Sequence, residues 1–462
     1  MACDNDCDTM IFHHPGECPI CHMQLVRQVD PAIAESANEE SRYNGHWDGV
    51  ATTTDQQLRF SLDIATKPLE VVFNSPDLKA LKVTARNVKF DQDTLQFELA
   101  GDDDIILCRT VLSGDSLRGS LVTHLDAVAV QNRIAGITLG RAPVSEINYI
   151  VREVVFYNGV TKLAGSLYLP TGGGSHPALV CNHSSGDKPR YDGAYMADFL
   201  ARRGIVVLIY DKRGNGQSGG DWKTSTFEDL ADDCIAGVKF LQGIPQVKPR
   251  QIGIFGHSQG GTISPIIVAR DKDIAFNIAA AGFAVSPEAQ DIFRVTNILR
   301  NEAHFKKAVV DSAIQFYKIW LEVARTGRGR ETLEAAKVSV QGTQWYDWVA
   351  VPPKESWVWN WYLNAGNYNY IPYWEKERVP TLLIYGEDDQ ITPVKPSVTR
   401  IEAALKKARN QKATLIIMPK SSHYFTLPKK EGDLWEKSTP GYLEAIYTWI
   451  EATCGQVGIS RQ

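Results

Sequence analysis

The chain of 462 residues contains no run of eighteen apolar residues, which excludes a membrane-spanning helix. No apolar stretch follows a basic start, so the sequence as it reads carries no secretory leader. A basic excess is also missing: 49 Lys and Arg stand against 54 Asp and Glu, for a formal net charge of −5 and no electrostatic footprint for nucleic acid. Cysteine is scarce and unevenly placed, eight in all. Cys108, Cys181, Cys234 and Cys454 are spread out, imply no disulfide framework and read as buried or free thiols. Beyond residue 304 only one histidine remains, His423. What is plentiful is apolar content, 44%, enough for a full-sized core and further domains.

The densest chemical signal is Gly256-His257-Ser258-Gln259-Gly260. It follows the apolar run Gln251-Ile252-Gly253-Ile254-Phe255, a short buried strand, and precedes a helix opening at Gly261-Thr262-Ile263. A serine on so tight a strand-to-helix turn is strained; glycines two residues either side permit the turn and a close strand–helix approach. The helix N-terminus behind it favours developing negative charge. In this arrangement an acid and then a histidine follow the serine. His423 is the base by elimination, just after the strand Ala413–Ile417. The acid follows the strand Thr381–Tyr385, in Gly386-Glu387-Asp388-Asp389; Asp389 is the choice and Asp388 the fallback. Each of the three therefore lies at the carboxyl end of a strand, where an open α/β sheet places its ligands. Singly they read as a turn serine, a loop aspartate and a surface histidine; the order and register of all three argue for a site.

From about residue 150 onward the chain resembles the α/β-hydrolases of the bacterial esterase and serine-aminopeptidase-like branch. Besides the turn at Ser258, it carries Asp211-Lys212-Arg213-Gly214-Asn215-Gly216-Gln217-Ser218 after the strand Gly204–Ile209, a loop typical of that family. Asp211 and Arg213 read as holding this loop rather than touching substrate. An oxyanion hole needs two donors. One is the N–H of Gln259, and the other comes from the loop after the strand Pro177–Cys181, in Asn182-His183-Ser184-Ser185-Gly186. Relatives have His-Gly here, so Ser184 stands where the resemblance implies a donor glycine, with Ser185 next to it; His183 and His257 read as packing beside the site.

The first thirty residues, 1–30, form a separate problem. Cys7, His13, His14, Cys18, Cys21, His22 and Met23 crowd into them. Thiolates two residues apart on a turn present both sulfurs to one soft metal, zinc or copper, and imidazole or thioether completes the sphere. Pro15-Gly16-Glu17-Cys18-Pro19-Ile20-Cys21-His22-Met23 resembles the small heavy-metal-binding module found ahead of copper-handling proteins, with His22 in place of its glycine and the other half degenerate. Cys18 and Cys21 are the expected ligands; Cys7, His13, His14, His22 and Met23 are weaker ones. Cys18-x-x-Cys21-His22 also matches haem attachment, but no helices follow to enclose a porphyrin. A redox dithiol would want a thioredoxin-like βαβ context, which is missing, and a vestigial, unmetallated arm is the bland alternative.

Residues 31–42 read as a polar linker. Over 43–142 the apolar period becomes two, in Leu58–Ile64, Leu81–Val88 with one slip, Thr94–Leu99, Ile105–Leu112, Ser116–Thr123 and Arg133–Leu139. Short half-buried strands without helices predict an all-β sandwich or barrel domain. Its opening Gly45-His46-Trp47-Asp48-Gly49 resembles the start of lipocalin-like β-domains that precede some bacterial hydrolases. No catalytic constellation is visible in it; packing or guiding substrate is its expected role, and a ligand-binding barrel the sharper one.

The hydrolase itself is expected over 149–462, with the sheet interrupted at about 285–375. That interruption holds an amphipathic helix from Phe305 to Arg325 and six of the eleven tryptophans: Trp345, Trp348, Trp357, Trp359, Trp361 and Trp374. It stands where α/β-hydrolases insert a lid, so the aromatics line an apolar substrate pocket or form the lid's own core. The reading is thus an α/β-hydrolase fold with a helical cap insertion, preceded by an all-β sandwich or barrel and a short Cys/His-rich arm. Its expected activity is hydrolysis of a small carboxylic ester through an acyl-enzyme, with no cofactor for catalysis. An aminopeptidase or acylaminoacyl-type amide hydrolase acting on a short peptide is the alternative. A metal-binding envelope protein with a non-catalytic hydrolase scaffold is the other-class alternative. Localisation stays open between the cytoplasm and, slightly favoured if a leader was trimmed before Cys3, the periplasm or envelope; oligomeric state is not legible.

Overall fold

A computed structural model describes residues 40–100, 105–124, 133–144, 146–429 and 435–457. The N-terminal Cys7, His13, His14, Cys18, Cys21, His22 and Met23, and most of the linker, lie outside the described residues. The chain passes from one compact unit to a second between Ser145 and Glu146.

The first unit is a single antiparallel sheet. Its strands are β1 (Gly45–Thr52), β2 (Gln57–Thr66), β3 (Leu69–Ser75), β4 (Ala80–Thr84), β5 (Arg86–Asp91), β6 (Thr94–Ala100), β7 (Ile105–Ser113), β8 (Ser116–His124) and β9 (Arg133–Arg141). They pair in the order β4-β3-β2-β1-β9-β8-β7-β6-β5. The two ends of that order, β4 and β5, are consecutive in the chain, so the sheet is barrel-like rather than a sandwich of two sheets. Alternation supplies one buried face: Leu58, Phe60, Leu62 and Ile64 from β2, and Leu95, Phe97 and Leu99 from β6. Trp47 is fully buried, its indole N–H donates to the Tyr43 carbonyl at 2.8 Å, and the Arg141 guanidinium lies over its ring. One reading is corrected. The slip in Leu81–Val88 is a break between β4 and β5, because Ala85 turns inward and spends its N–H on the Val71 carbonyl at 2.8 Å.

The second unit is built on a mostly parallel sheet of β10 (Tyr149–Asn158), β11 (Thr161–Pro170), β12 (His176–Asn182), β13 (Val206–Tyr210), β14 (Val247–His257), β15 (Phe276–Ala280), β16 (Thr381–Gly386) and β17 (Ala413–Met418). The order is β10-β11-β13-β12-β14-β15-β16-β17, antiparallel as far as β13 and parallel beyond it. Strands β13, β15 and β16 are buried at every position, as runs covered on both faces must be. The connecting helices are α1 (Ala194–Ala201), α2 (Phe227–Gln242) and α3 (Gln259–Arg270). Thr226 and Asp229 start α2 as a reciprocal capping box.

Between β15 and β16 the chain makes a helical insertion: α4 (Pro287–Asn297), α5 (Lys307–Thr326), α6 (Arg330–Val340), α7 (Trp357–Ala365) and the short α8 (Ile371–Trp374). Asp291 on α4 ties it together, accepting from Tyr317 of α5 at 2.5 Å and Tyr362 of α7 at 2.6 Å while pairing with Arg294. The aromatics divide between two cores. Trp320, Trp345 and Tyr362 fill the insertion's own interior, whereas Tyr370 and Trp374 join the core beneath the sheet. Helices α9 (Val394–Lys407) and α10 (Tyr442–Val457) complete the unit. The four cysteines of the described residues are buried free thiols.

Candidate active site

Ser258 ends β14 and opens α3 with φ 54° and ψ −119°, a conformation costly for any residue with a side chain. Its neighbours enforce it: the Ser258 N–H donates to the Ala280 carbonyl at 2.8 Å, and its carbonyl accepts from Thr262 at 2.9 Å. A Cβ at Gly256 would fall 2.2 Å from the Gly260 backbone, and one at Gly260 would fall 2.8 Å from the Asn182 carbonyl. Strand, helix and the loop after β12 thus touch backbone to backbone, which only these glycines allow.

The serine hydroxyl faces His423, with Oγ 3.0 Å from Nε2. On the ring's other side Nδ1 lies 2.8 Å from Asp389 Oδ2. Asp389 is buried at the end of β16, and its Oδ1 accepts the backbone N–H groups of Ile391 (2.8 Å) and Thr392 (2.7 Å). With one oxygen so occupied, the other has a fixed direction, toward the imidazole. The Nδ1–H therefore points at the carboxylate, and Nε2 carries the lone pair that faces the serine. Asp388 is exposed and turned away, its N–H on the Ser421 carbonyl. Thr392, which the sequence did not single out, places Oγ1 3.5 Å from His423 Nδ1 and donates to the Ala281 carbonyl at 2.8 Å.

Gln259 is buried as the first residue of α3, where a helix leaves its N–H without an internal partner. Ser184 follows β12, and its N–H makes no hydrogen bond to the protein among the described residues. The Ser184 hydroxyl meets His257, 2.9 Å from Nδ1 and 3.0 Å from the carbonyl, while His257 Nε2 reaches the His423 carbonyl at 2.8 Å. His183 packs edge-on against Tyr210 and donates to its carbonyl. Burial pushes this imidazole down to about 3, so it stays neutral. Asp211 accepts from Arg190 and Gln217 backbone, and Arg213 grips Asp233 at 2.6 and 2.7 Å, so both hold their loop.

The X-Pro dipeptidyl-peptidase family (S15) matches residues 158–424, more than half of the chain. The chain belongs to the S15 family. That family is one of the α/β-hydrolases, and the relatives of this chain include proteins named as an esterase and as an AB hydrolase. An uncharacterized protein of Pseudomonas aeruginosa is 34% identical over 128 residues, 27% of this chain and 34% of that protein. Esterase EstD of Thermotoga maritima is 26% identical over 190 residues, 38% of this chain and 45% of EstD. The AB hydrolase superfamily protein YisY of Bacillus subtilis is 27% identical over 217 residues, 43% of this chain and 69% of YisY. The chain spans between a third and a half of the length of the first curated relatives it matches.

Proposed function

We propose that this S15-family hydrolase cleaves carboxylic esters by two-step acyl transfer, with Ser258 as nucleophile, His423 as base and Asp389 as its orienting acid. The observation that carries the reading is the unbroken run Ser258–His423–Asp389 at 3.0 and 2.8 Å, ending on a carboxylate fixed by two backbone donors. His423 takes the serine proton as Oγ attacks the carbonyl; Asp389 keeps the tautomer and stabilises the imidazolium. The backbone amides of Gln259 and Ser184 receive the oxyanion. The leaving alcohol takes the proton back from His423, and a water activated by the same imidazole releases the acid. Esters come first because an alkoxide leaves with less proton assistance than an amine, so the same constellation acts on them most readily. EstD, named an esterase, supports the choice.

The family match favours a second reading, removal of an amino-terminal dipeptide as in X-Pro dipeptidyl-peptidases. Turnover of a p-nitrophenyl ester chain-length series, set beside Xaa-Pro and aminoacyl p-nitroanilides, separates the two. Ester turnover that Ser258→Ala abolishes is the expected result; anilide cleavage alone transfers the protein to the peptidases.

The cysteine pair Cys18 and Cys21, with Cys7, His13, His14, His22 and Met23 near it in sequence, remains a proposed zinc or copper site, and no step of hydrolysis runs through it. Chelation is expected to strip metal and leave ester kcat within about twofold, since no ligand belongs to the hydrolytic constellation. A loss of hydrolysis that returns with added metal would tie the arm to the reaction.

A further inference from the structure

The loop after β13 carries a lysine that the mechanism above does not use. Lys212 is 1% exposed, and its ammonium donates to the Ser184 carbonyl at 2.9 Å, the Gly186 carbonyl at 3.2 Å and Gln259 Oε1 at 3.1 Å. It also sits over the Trp222 indole, 4.6 Å from the ring centre. A buried cation is costly unless paired, and all three hydrogen-bond partners here are neutral. The charged groups that act on it are Asp187 and Lys188, both in the segment after β12, and His183 beside them is neutral. Burial and Lys188 outweigh Asp187 and bring the ammonium down to about 7.

The three acceptors belong to the two segments that supply the oxyanion amides. Ser184 and Gly186 lie on the loop after β12, and Gln259 is the first residue of α3. Ser184 is held from its other side by His257, which in turn is bonded to the carbonyl of His423. We propose that Lys212 is the positioning residue of the oxyanion hole: its N–H donors fix the Ser184–Gly186 loop against Gln259, so that both amides aim at one point. The proposal rests on the triad reading given above.

The test is kcat and KM for a p-nitrophenyl ester, per active site titrated with a fluorophosphonate, in Lys212→Met, with affinity for an aryl boronic acid measured alongside. The expected result is a fall in kcat of about 10²-fold with KM within about threefold, as for a constellation displaced by about 1 Å. Boronate affinity falls in the same proportion. A residue that merely stabilises the fold would reduce the titratable fraction and leave kcat per site alone; kcat per site within about twofold of the parent overturns the proposal. If Lys212→Met does not fold, Gln259→Leu decides, because it removes one acceptor and keeps the lysine. A kcat drop of about tenfold with weaker boronate binding supports the clasp, and unchanged values defeat it. Ser258→Ala run in parallel separates the levels. If it stays active, the triad falls and the clasp with it; if it is dead while Lys212→Met is fully active, only the clasp falls.

Discussion

Asp389→Asn is expected to lower kcat by about 10⁴-fold while KM moves by less than about threefold. The size follows from where the carboxamide must point. Oδ1 of Asp389 is held by the N–H groups of Ile391 and Thr392 at 2.8 and 2.7 Å, so in the variant the carbonyl oxygen keeps that place and the amide nitrogen faces His423. The nitrogen brings two hydrogens to Nδ1, which then has to accept. The ring's own proton moves to Nε2, where it confronts the Ser258 hydroxyl instead of a lone pair. Geometry is kept and the base is lost. Stopped-flow hydrolysis of a p-nitrophenyl ester at neutral pH measures the effect, with Asp388→Asn as the control expected to be silent. A loss below about tenfold for Asp389→Asn would show that His423 is oriented by something other than this carboxylate.

Glu377 produces the second large effect, on stability rather than rate. Glu377 is 1% exposed; one carboxyl oxygen lies 3.2 Å from Thr381 Oγ1, and Asn277 is the other polar side chain that acts on it. Burial pushes it from 4.5 up to about 8. The folded protein therefore keeps this proton until about pH 8, whereas the unfolded chain releases it near 4.5. Below the lower value both states are protonated, and this contribution to stability is whole. Between the two values the folded state binds more protons, and stability falls by up to about 1.4 kcal/mol per pH unit. Urea unfolding of the wild type and Glu377→Gln across that window should give curves that meet at acid pH and separate on the alkaline side, with the variant the more stable there. Parallel curves would mean that the carboxyl is already ionised in the folded protein.

The convergence of Ser258, Asp389 and His423 on one place was the most legible part of the chain, for a physical reason. A serine on a strained turn demands small residues around it, and a parallel sheet delivers loop residues from successive strand ends to one place. Gly256, Gly260 and the solitary His423 were therefore informative without any contact being known. Lys212 was not, because a lysine between Asp211 and Arg213 reads as a solvated loop charge. Its burial exists only once β13 lies between β11 and β12 and Trp222 covers the ammonium. Glu377 was hidden in the same way, inside Glu375-Lys376-Glu377-Arg378, a run whose composition is that of a surface. In the first unit the strand alternation showed through, but Ala85 did not announce a break. Its side chain suits a continuous strand, and what ends β4 is a bond to Val71, on a neighbouring strand. The tryptophans of the insertion could be counted but not assigned, since an indole suits either core equally.

The order of the first sheet bears on how fast and in what sequence it can form. Its first strand is paired on one side with β2, next in the chain, and on the other with β9, the last: Trp47 stands opposite Leu62 and also opposite Arg141. Every other pairing joins consecutive strands and can zip as soon as a hairpin closes, but this one waits for the whole unit to be present. On the ribosome the unit is thus committed only when Arg141 has emerged. Until then β1 lacks its second partner, and pairing the two requires the closure of one long loop, an expected slow step.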